Sequence, residues 1–292
     1  MNSERLTDSL LELIRRSSTR LPQDVRQALS EAAEREDEGS VARSTLLKIL
    51  DNVEEAEKRS TPICQDTGTL IFHVRYGPEY HQAPLRAAIE AAAAAATEKS
   101  YLRPNAVHPV TGRNSGNNVG AGAPFILFDE REEAGLEVSL TQKGGGSENV
   151  SAQYSLPYAP LSAGRDLEGV RRVVLDAVYQ AQGKGCSPGI LGIGVGGDRG
   201  GSYLEAKEQL SRRLDDANDD PQLRELEERL LREANQLGVG PMGFGGKTTL
   251  LAVKIGLRHR HPASFFVSIA YMCWACRRAR MTIDGKGNVD YA

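Results

Sequence analysis

The sequence predicts an α+β protein: a mixed β-sheet core flanked by helices, with a helical N-terminal extension. Three observations lead there. The first sixty residues carry apolar stripes at helical spacing. Short runs rich in β-branched and aromatic residues recur after residue 61. Those runs alternate with helical patterns instead of forming one block. Residues 1–60 therefore read as a helical segment and 61–292 as the main domain, together one continuous body.

Taken in order, Leu6, Leu10, Leu13 and Ile14 make one stripe, and Val25, Ala28, Leu29 and Ala32 make a second, with Pro22 suited to a first helical position. Leu46, Leu47, Leu50 and Val53 define one side of a third helix. The acidic run "EREDEGS" before it reads as a solvated helix end and loop. "TLIFHVRY" predicts a strand and "APLRAAIEAAAAAATEKS" a helix, followed by strands at "APFILFD" and "LEVSLTQ" around a turn at "REEAG". "LEGVRRVVLDAVYQAQG" predicts a helix ended by Gly183. The strand-like "GILGIGV" comes next, then two charged helices split by the loop "DDANDDP", then apolar stretches at "TTLLAVKIGL" and "SFFVSIAYM".

Composition narrows the function classes. The chain has 292 residues, 40% apolar and 26% charged, which excludes fibre and disorder. A net charge of −3 with interspersed signs, and only 5% aromatics, argue against a nucleic-acid surface. "MNSERLTDSLLELIRR" is charged from Glu4 onward and lacks the apolar centre of a signal peptide. "AAIEAAAAAA" is too weakly apolar to span a membrane. The expectation is a cytoplasmic protein with no membrane or nucleic-acid partner, whose four cysteines serve as thiols or metal ligands.

Thirty glycines gather in "NSGNNVGAGAP", "KGGGSEN", "GKGCSPG", "GIGVGGDRGGS" and "GVGPMGFGGKTT". Any one of these is a tight turn; five together, each beside polar residues, suggest a site lined by backbone. "GIGVGG" fits a dinucleotide fingerprint, but apolar residues run through its glycines and no acidic strand end follows at the required distance. "GFGGKTT" imitates a phosphate loop, yet Pro241 stands where the first glycine belongs and "TTLLAV" favours a strand over the required helix. Nucleotide binding is rejected on these grounds.

The cysteines are Cys64, Cys186, Cys273 and Cys276. Only "CWAC" has zinc-knuckle spacing, which leaves a zinc or redox binding module as one reading. A buried, inert cysteine is the common case, but "ICQDTG", "GKGCSPG" and "YMCWACRR" set thiols beside turn-formers and polar groups. Three thiolates from three separated loops suit an iron–sulfur cluster with one iron left without a protein ligand.

"TPICQDTGT", "LRPNAVHPVTGRNSGNN", "KGGGSEN", "GCSPGILGIGVGGDRGGSYLEAKEQL", "GFGGKTT" and "RHRHPASFFVSIAYMCWACRR" resemble, in order, the α region of the iron–sulfur hydro-lyases of the class I fumarase and tartrate dehydratase family. The resemblance covers the chain from about residue 40 to its end. It implies a 4Fe–4S cluster held by Cys64, Cys186 and Cys273, with Cys276 as the competing thiol of the pair. It implies that Gln65, Asp66, Gly144 and Gly145 line a substrate pocket, that Arg103 binds a carboxylate and that His261 lies near Asp66, with Asp66 and His261 as the catalytic candidates of this chain. The activity implied is hydration of fumarate to L-malate, with L(+)-tartrate dehydration as the alternative. "KGGGSEN" and "LRPNAVHP" look like the fumarase branch, whereas "TRLPQDV" is also similar to the tartrate enzymes. Members of the family use a second, β region that supplies the proton-abstracting base. The chain ends at "GNVDYA", so a β subunit is expected, in a heterodimer or α2β2 assembly acting on a small dicarboxylate.

Overall fold

The run "TLIFHVRY" alternates, and alternation buries one face of a strand: Leu70, Phe72, Val74 and Tyr76 are all in the core. The computed structural model describes residues 3–292. Along the chain its strands are β1 (Thr69–Tyr76), β2 (Phe125–Glu130), β3 (Leu136–Lys143), β4 (Ala152–Ser155), β5 (Gly189–Gly196), β6 (Leu250–Arg258), β7 (Phe266–Met272), β8 (Arg277–Ile283) and β9 (Val289–Tyr291). Its helices are α1 (Ser3–Thr19), α2 (Gln23–Arg35), α3 (Val41–Arg59), α4 (Gln82–Glu98), the short α5 (Gly145–Asn149), α6 (Leu167–Ala181), α7 (Arg199–Gln209) and α8 (Pro221–Gln236). The fold is α+β with helices at the N-terminal end, as the sequence predicts.

Two compact units emerge, each assembled from separated stretches of chain. The first takes Met1–Pro22, Asp51–Gly145 and Ala275–Ala292. Its sheet has the order β2-β1-β3-β8-β9, with β1 and β2 parallel and the other pairs antiparallel. Leu10, Leu13 and Ile14 of α1 and the Ala88–Ala96 face of α4 cover Phe72, Leu140 and Met281 of that sheet. Alanine suits α4 because it carries no side-chain entropy and lets the helix lie close.

The second unit takes Gln23–Leu50 and Gly146–Trp274. Its sheet has the order β4-β7-β5-β6, with only β5 and β6 parallel. On one face Leu191, Ile193 and Val195 meet α6 and α8 through Val170, Val174, Leu226 and Leu230. On the other face β5 carries Gly192 and Gly194, and α7 lies against them. A Cβ at Gly192 would sit 2.0 Å from the carbonyl oxygen of Ala206, and one at Gly194 would sit 2.0 Å from that of Ser202. The Ser202 hydroxyl donates to the Gly194 carbonyl at 3.0 Å. Gly192 and Gly194 of "GIGVGG" thus admit a helix, while Gly196 and Gly197, at φ 93 and 66, turn the chain at the strand end.

Three other local expectations change. Ala42, Leu46, Ile49 and Val53 form the buried stripe of α3, while Leu47 is 46% exposed, because Ile49 and not Leu47 follows the helical period from Ala42. Helix α6 ends at Ala181, one residue before the expected end, with Gln182 at φ 46. Gly183 is needed for a different reason, since a Cβ there would lie 2.7 Å from the Cα of Gly243. In "EREDEGS" Glu36 is buried, not solvated. Among the described residues, no helix is long and apolar enough to cross a membrane.

Candidate functional site

In the first unit, "TPICQDTGT" is an irregular segment fastened at both ends. Before Cys64, the Ile63 N–H donates to Ser18 O at 3.0 Å and its carbonyl accepts from Asn52 Nδ2 at 2.9 Å. After it, Asp66 accepts the Gly68 N–H through Oδ1 at 3.0 Å and the Gly145 N–H through Oδ2 at 2.8 Å. Asp66 therefore joins this loop to "KGGGSEN". Gly68 has φ 76 and lies so close to Lys143 that a Cβ would be 2.7 Å from its carbonyl carbon, so only glycine fits.

Buried Thr67 holds the third loop. Its Oγ1 accepts from the Arg103 N–H at 3.1 Å and from Asn105 Nδ2 at 3.0 Å. Asn118 completes the network: its Oδ1 accepts the Asn105 N–H at 2.7 Å, and its Nδ2 donates to the Arg103 carbonyl at 2.8 Å. Fixed by these bonds, Arg103 and Gln65 are exposed, Cys64 and Asp66 half-buried, and Gly144 buried beside exposed Gly145. The structure therefore gathers Cys64, Gln65, Asp66, Arg103, Gly144 and Gly145 on loops of one unit. A cavity of about 430 Å³ in the same unit is lined instead by Leu6, Tyr80, His81, Leu85 and Asp284.

In the second unit, Cys186 follows a 3-10 turn, in left-handed conformation at φ 55. Its carbonyl accepts the Trp274 N–H at 3.2 Å, which ties "GCSPG" to "MCWAC". Ser187 donates its hydroxyl to Gly240 O at 2.6 Å and accepts the Met242 N–H at 2.8 Å through its carbonyl. Three motif loops are thereby cross-linked around Cys186 and Cys273, both half-buried. Tyr271 lies among them, 2% exposed, with a hydroxyl that meets no hydrogen-bond partner. Burial first, then the negative charge of the Cys273 and Cys186 thiolates, holds this phenol well above the ordinary tyrosine value.

Cys276 differs from the other three. It alone among the four is fully buried, and its Sγ receives Arg278 Nη1 at 3.6 Å. His261 is exposed on the loop between β6 and β7, where Nδ1 accepts the Ala263 N–H at 3.1 Å. With Nδ1 accepting, the neutral ring carries its proton on Nε2. Asp66 and His261 belong to different units.

"GFGGKTT" does not offer its amides to a ligand. Glu36 accepts the Lys247 N–H at 2.9 Å and the Thr248 N–H at 2.9 Å, and the Lys247 ammonium pairs with Asp37. Leu250 then begins β6, so no helix N-terminus faces the loop. The sequence gives little local sign of Thr67, Asn118 and Glu36, whose side-chain partners lie 13 or more positions away along the chain, or of Tyr271, whose ring packs on the distant Cys186 loop. The available signal was weak: Asn105 and Asn118 sit inside quoted motifs, and Tyr271 sits two residues before a cysteine.

The donor set suits a thiolate-bound metal group. Within the second unit Cys186 and Cys273 are half-buried on braced loops, and the Tyr271 ring, with its orphaned hydroxyl, packs against the Cys186 loop; Cys64 is half-buried on the braced loop of the first unit.

A family model described as Fumarate hydratase (Fumerase) matches residues 7–282. A protein of Geobacillus stearothermophilus, provisionally named fumarate hydratase class I, is 49% identical over 284 residues, covering 96% of this chain and 55% of that protein. The chain thus spans about half the length of that relative. A protein of Methanocaldococcus jannaschii, provisionally named L(+)-tartrate dehydratase subunit alpha, is 38% identical over 289 residues, covering 97% of this chain and 99% of that one. The L(+)-tartrate dehydratase subunit alpha of Escherichia coli is 29% identical over 283 residues, covering 96% and 91%.

Proposed function

Because the chain belongs to the fumarate hydratase family, we propose that it is the α part of a cytoplasmic iron–sulfur hydro-lyase that interconverts fumarate and L-malate. The observation that carries this reading is the pair of half-buried thiols, Cys186 and Cys273, on loops locked together by the Trp274 N–H to Cys186 carbonyl bond. Cys64, Cys186 and Cys273 would hold a 4Fe–4S cluster, whose open iron position supplies Lewis-acid chemistry at the substrate hydroxyl. Cys276 is a poor ligand, being fully buried with its sulfur against Arg278, and this disfavours a zinc or redox module built on "CWAC".

The remaining steps fall to side chains of this chain. Arg103, exposed on a loop braced by Thr67 and Asn118, can grip one substrate carboxylate with its planar fork. Gln65, exposed beside Cys64, offers its uncharged amide to the same anion, and Gly144 and Gly145 line the pocket, with the Gly145 N–H held by Asp66. Asp66 has both oxygens engaged by backbone amides, which suits orientation of the loop better than proton abstraction. His261 can donate its Nε2 proton. The proton-abstracting base is then supplied by a β region. Two facts support this: relatives that match over nearly their whole length are named subunit alpha, and the class I relative is nearly twice as long. A heterodimer or α2β2 assembly follows.

Those same subunit-alpha names favour L(+)-tartrate as a second reading of the substrate. The deciding experiment reconstitutes the chain anaerobically, with and without a β subunit, and compares malate with tartrate. The expected result is a brown complex with about four irons, active on malate only when β is present. Preference for tartrate moves the assignment to the second reading. Turnover by the isolated chain removes the partner requirement, and a colourless zinc protein overturns the hydro-lyase reading itself.

A further inference from the structure

The most unusual buried group in the second unit is a tyrosine hydroxyl. Tyr271 projects from β7 into the core, 2% exposed, and its hydroxyl has no hydrogen-bond partner. The ring cannot easily move away. A Cβ at Gly185 would lie 2.5 Å from its Cε1, and one at Gly189 would lie 2.4 Å from its hydroxyl oxygen. These two glycines bracket Cys186, and the Tyr271 N–H is anchored to Ser151 Oγ at 3.0 Å. So the ring is wedged against the Cys186 loop, with its hydroxyl over Gly189 and its backbone two residues before Cys273.

An unpaired buried hydroxyl is costly, and phenylalanine would fill the same seat without that cost. An acceptor that arrives with the bound group accounts for the tyrosine.

We propose that Tyr271 is a positioning residue whose hydroxyl donates a hydrogen bond to a sulfur of the metal–thiolate group carried by Cys186 and Cys273. The inference rests on the hydro-lyase reading and extends it to a residue outside the ligand set. A hydrogen bond to a ligand sulfur favours the more reduced, more negative state and raises the reduction potential.

The test compares wild type with Tyr271→Phe, each metal-free and each reconstituted anaerobically with its β partner. Iron and sulfide content should be unchanged in the variant. Its reduction potential should move to a more negative value, and its Fe–S stretching bands in resonance Raman spectra should shift. Metal-free, the variant should melt at the same temperature as wild type or higher; reconstituted, it should melt lower than wild type. Unchanged potential and bands overturn the proposal. So does an equal loss of stability in both forms, which would assign the hydroxyl to a purely structural partner such as a buried water. A wild type that builds no cluster under the same treatment overturns the hydro-lyase reading and this inference together.

Discussion

The Glu36 carboxylate accepts the Lys247 N–H through both oxygens at 2.9 Å, and the adjacent Thr248 N–H at 2.9 Å through Oε1. A loop whose sequence imitates a phosphate cradle is filled by an anion from its own chain. Glu36 is 5% exposed, so removing it strands buried amides. Glu36→Ala should cost about 2–3 kcal/mol in urea unfolding, and Glu36→Gln, which keeps one carbonyl acceptor, clearly less. Millimolar ATP should leave the melting temperature of the wild type unchanged.

The two thiols of "CWAC" should separate by function. Cys273→Ser should lose the brown colour and the iron on reconstitution. Cys276→Ser should keep both, while losing about 1–2 kcal/mol because a hydroxyl replaces a buried sulfur. Absorption spectra and urea titrations read the two effects independently.

Glycine packing on β5 gives a contrast within one segment. Gly194→Ala drives a methyl into the Ser202 carbonyl and should cost about 3 kcal/mol. Gly200→Ala, on the exposed first turn of α7 with its nearest neighbour 3.8 Å away, should be neutral or stabilising by roughly 0.5 kcal/mol. Equal effects at the two positions would mean that α7 is not held close to the strand.

Acid should unlock α1. Arg15, gripping Glu12 through Nε and Nη2 at 2.7 Å each, lowers that carboxyl from its ordinary 4.5 to about 2, with Arg16 assisting. A depressed carboxyl stabilises the fold above its unfolded value and loses that stabilisation as pH falls through the folded one. Wild type should exceed Glu12→Gln by roughly 1 kcal/mol at pH 6, after allowing for solvent screening. The gap should narrow from about pH 4.5 downward and close below about pH 2.

Elements whose own residues carry the pattern were legible in the sequence. Leu70, Phe72, Val74 and Tyr76 declare β1 by alternation, and Leu6, Leu10, Leu13 and Ile14 declare α1 by period. The strand β8, "RRARMTI", was not legible, because Arg277 is buried and the strand completes its sheet against β3, more than a hundred positions earlier. The cysteine loops were legible as chemistry, since thiols beside turn residues are poor core material. Their bracing was not: Thr67 reaches Asn105, and Glu36 reaches Lys247, through contacts that no local window contains.

The interleaving of the two units has a consequence for synthesis on the ribosome. Strand β3 pairs with β1 on one side and with β8 on the other. Its β8 edge stays bare while the whole intervening stretch, Gly146–Trp274, is translated. At 5–20 residues per second, that wait is on the order of ten seconds. Throughout it the nascent chain presents an uncapped row of amides and carbonyls beside the segment that bears Cys64, a ready template for mispairing. Protection of that edge until β8 has been made and has docked is what this order of segments demands.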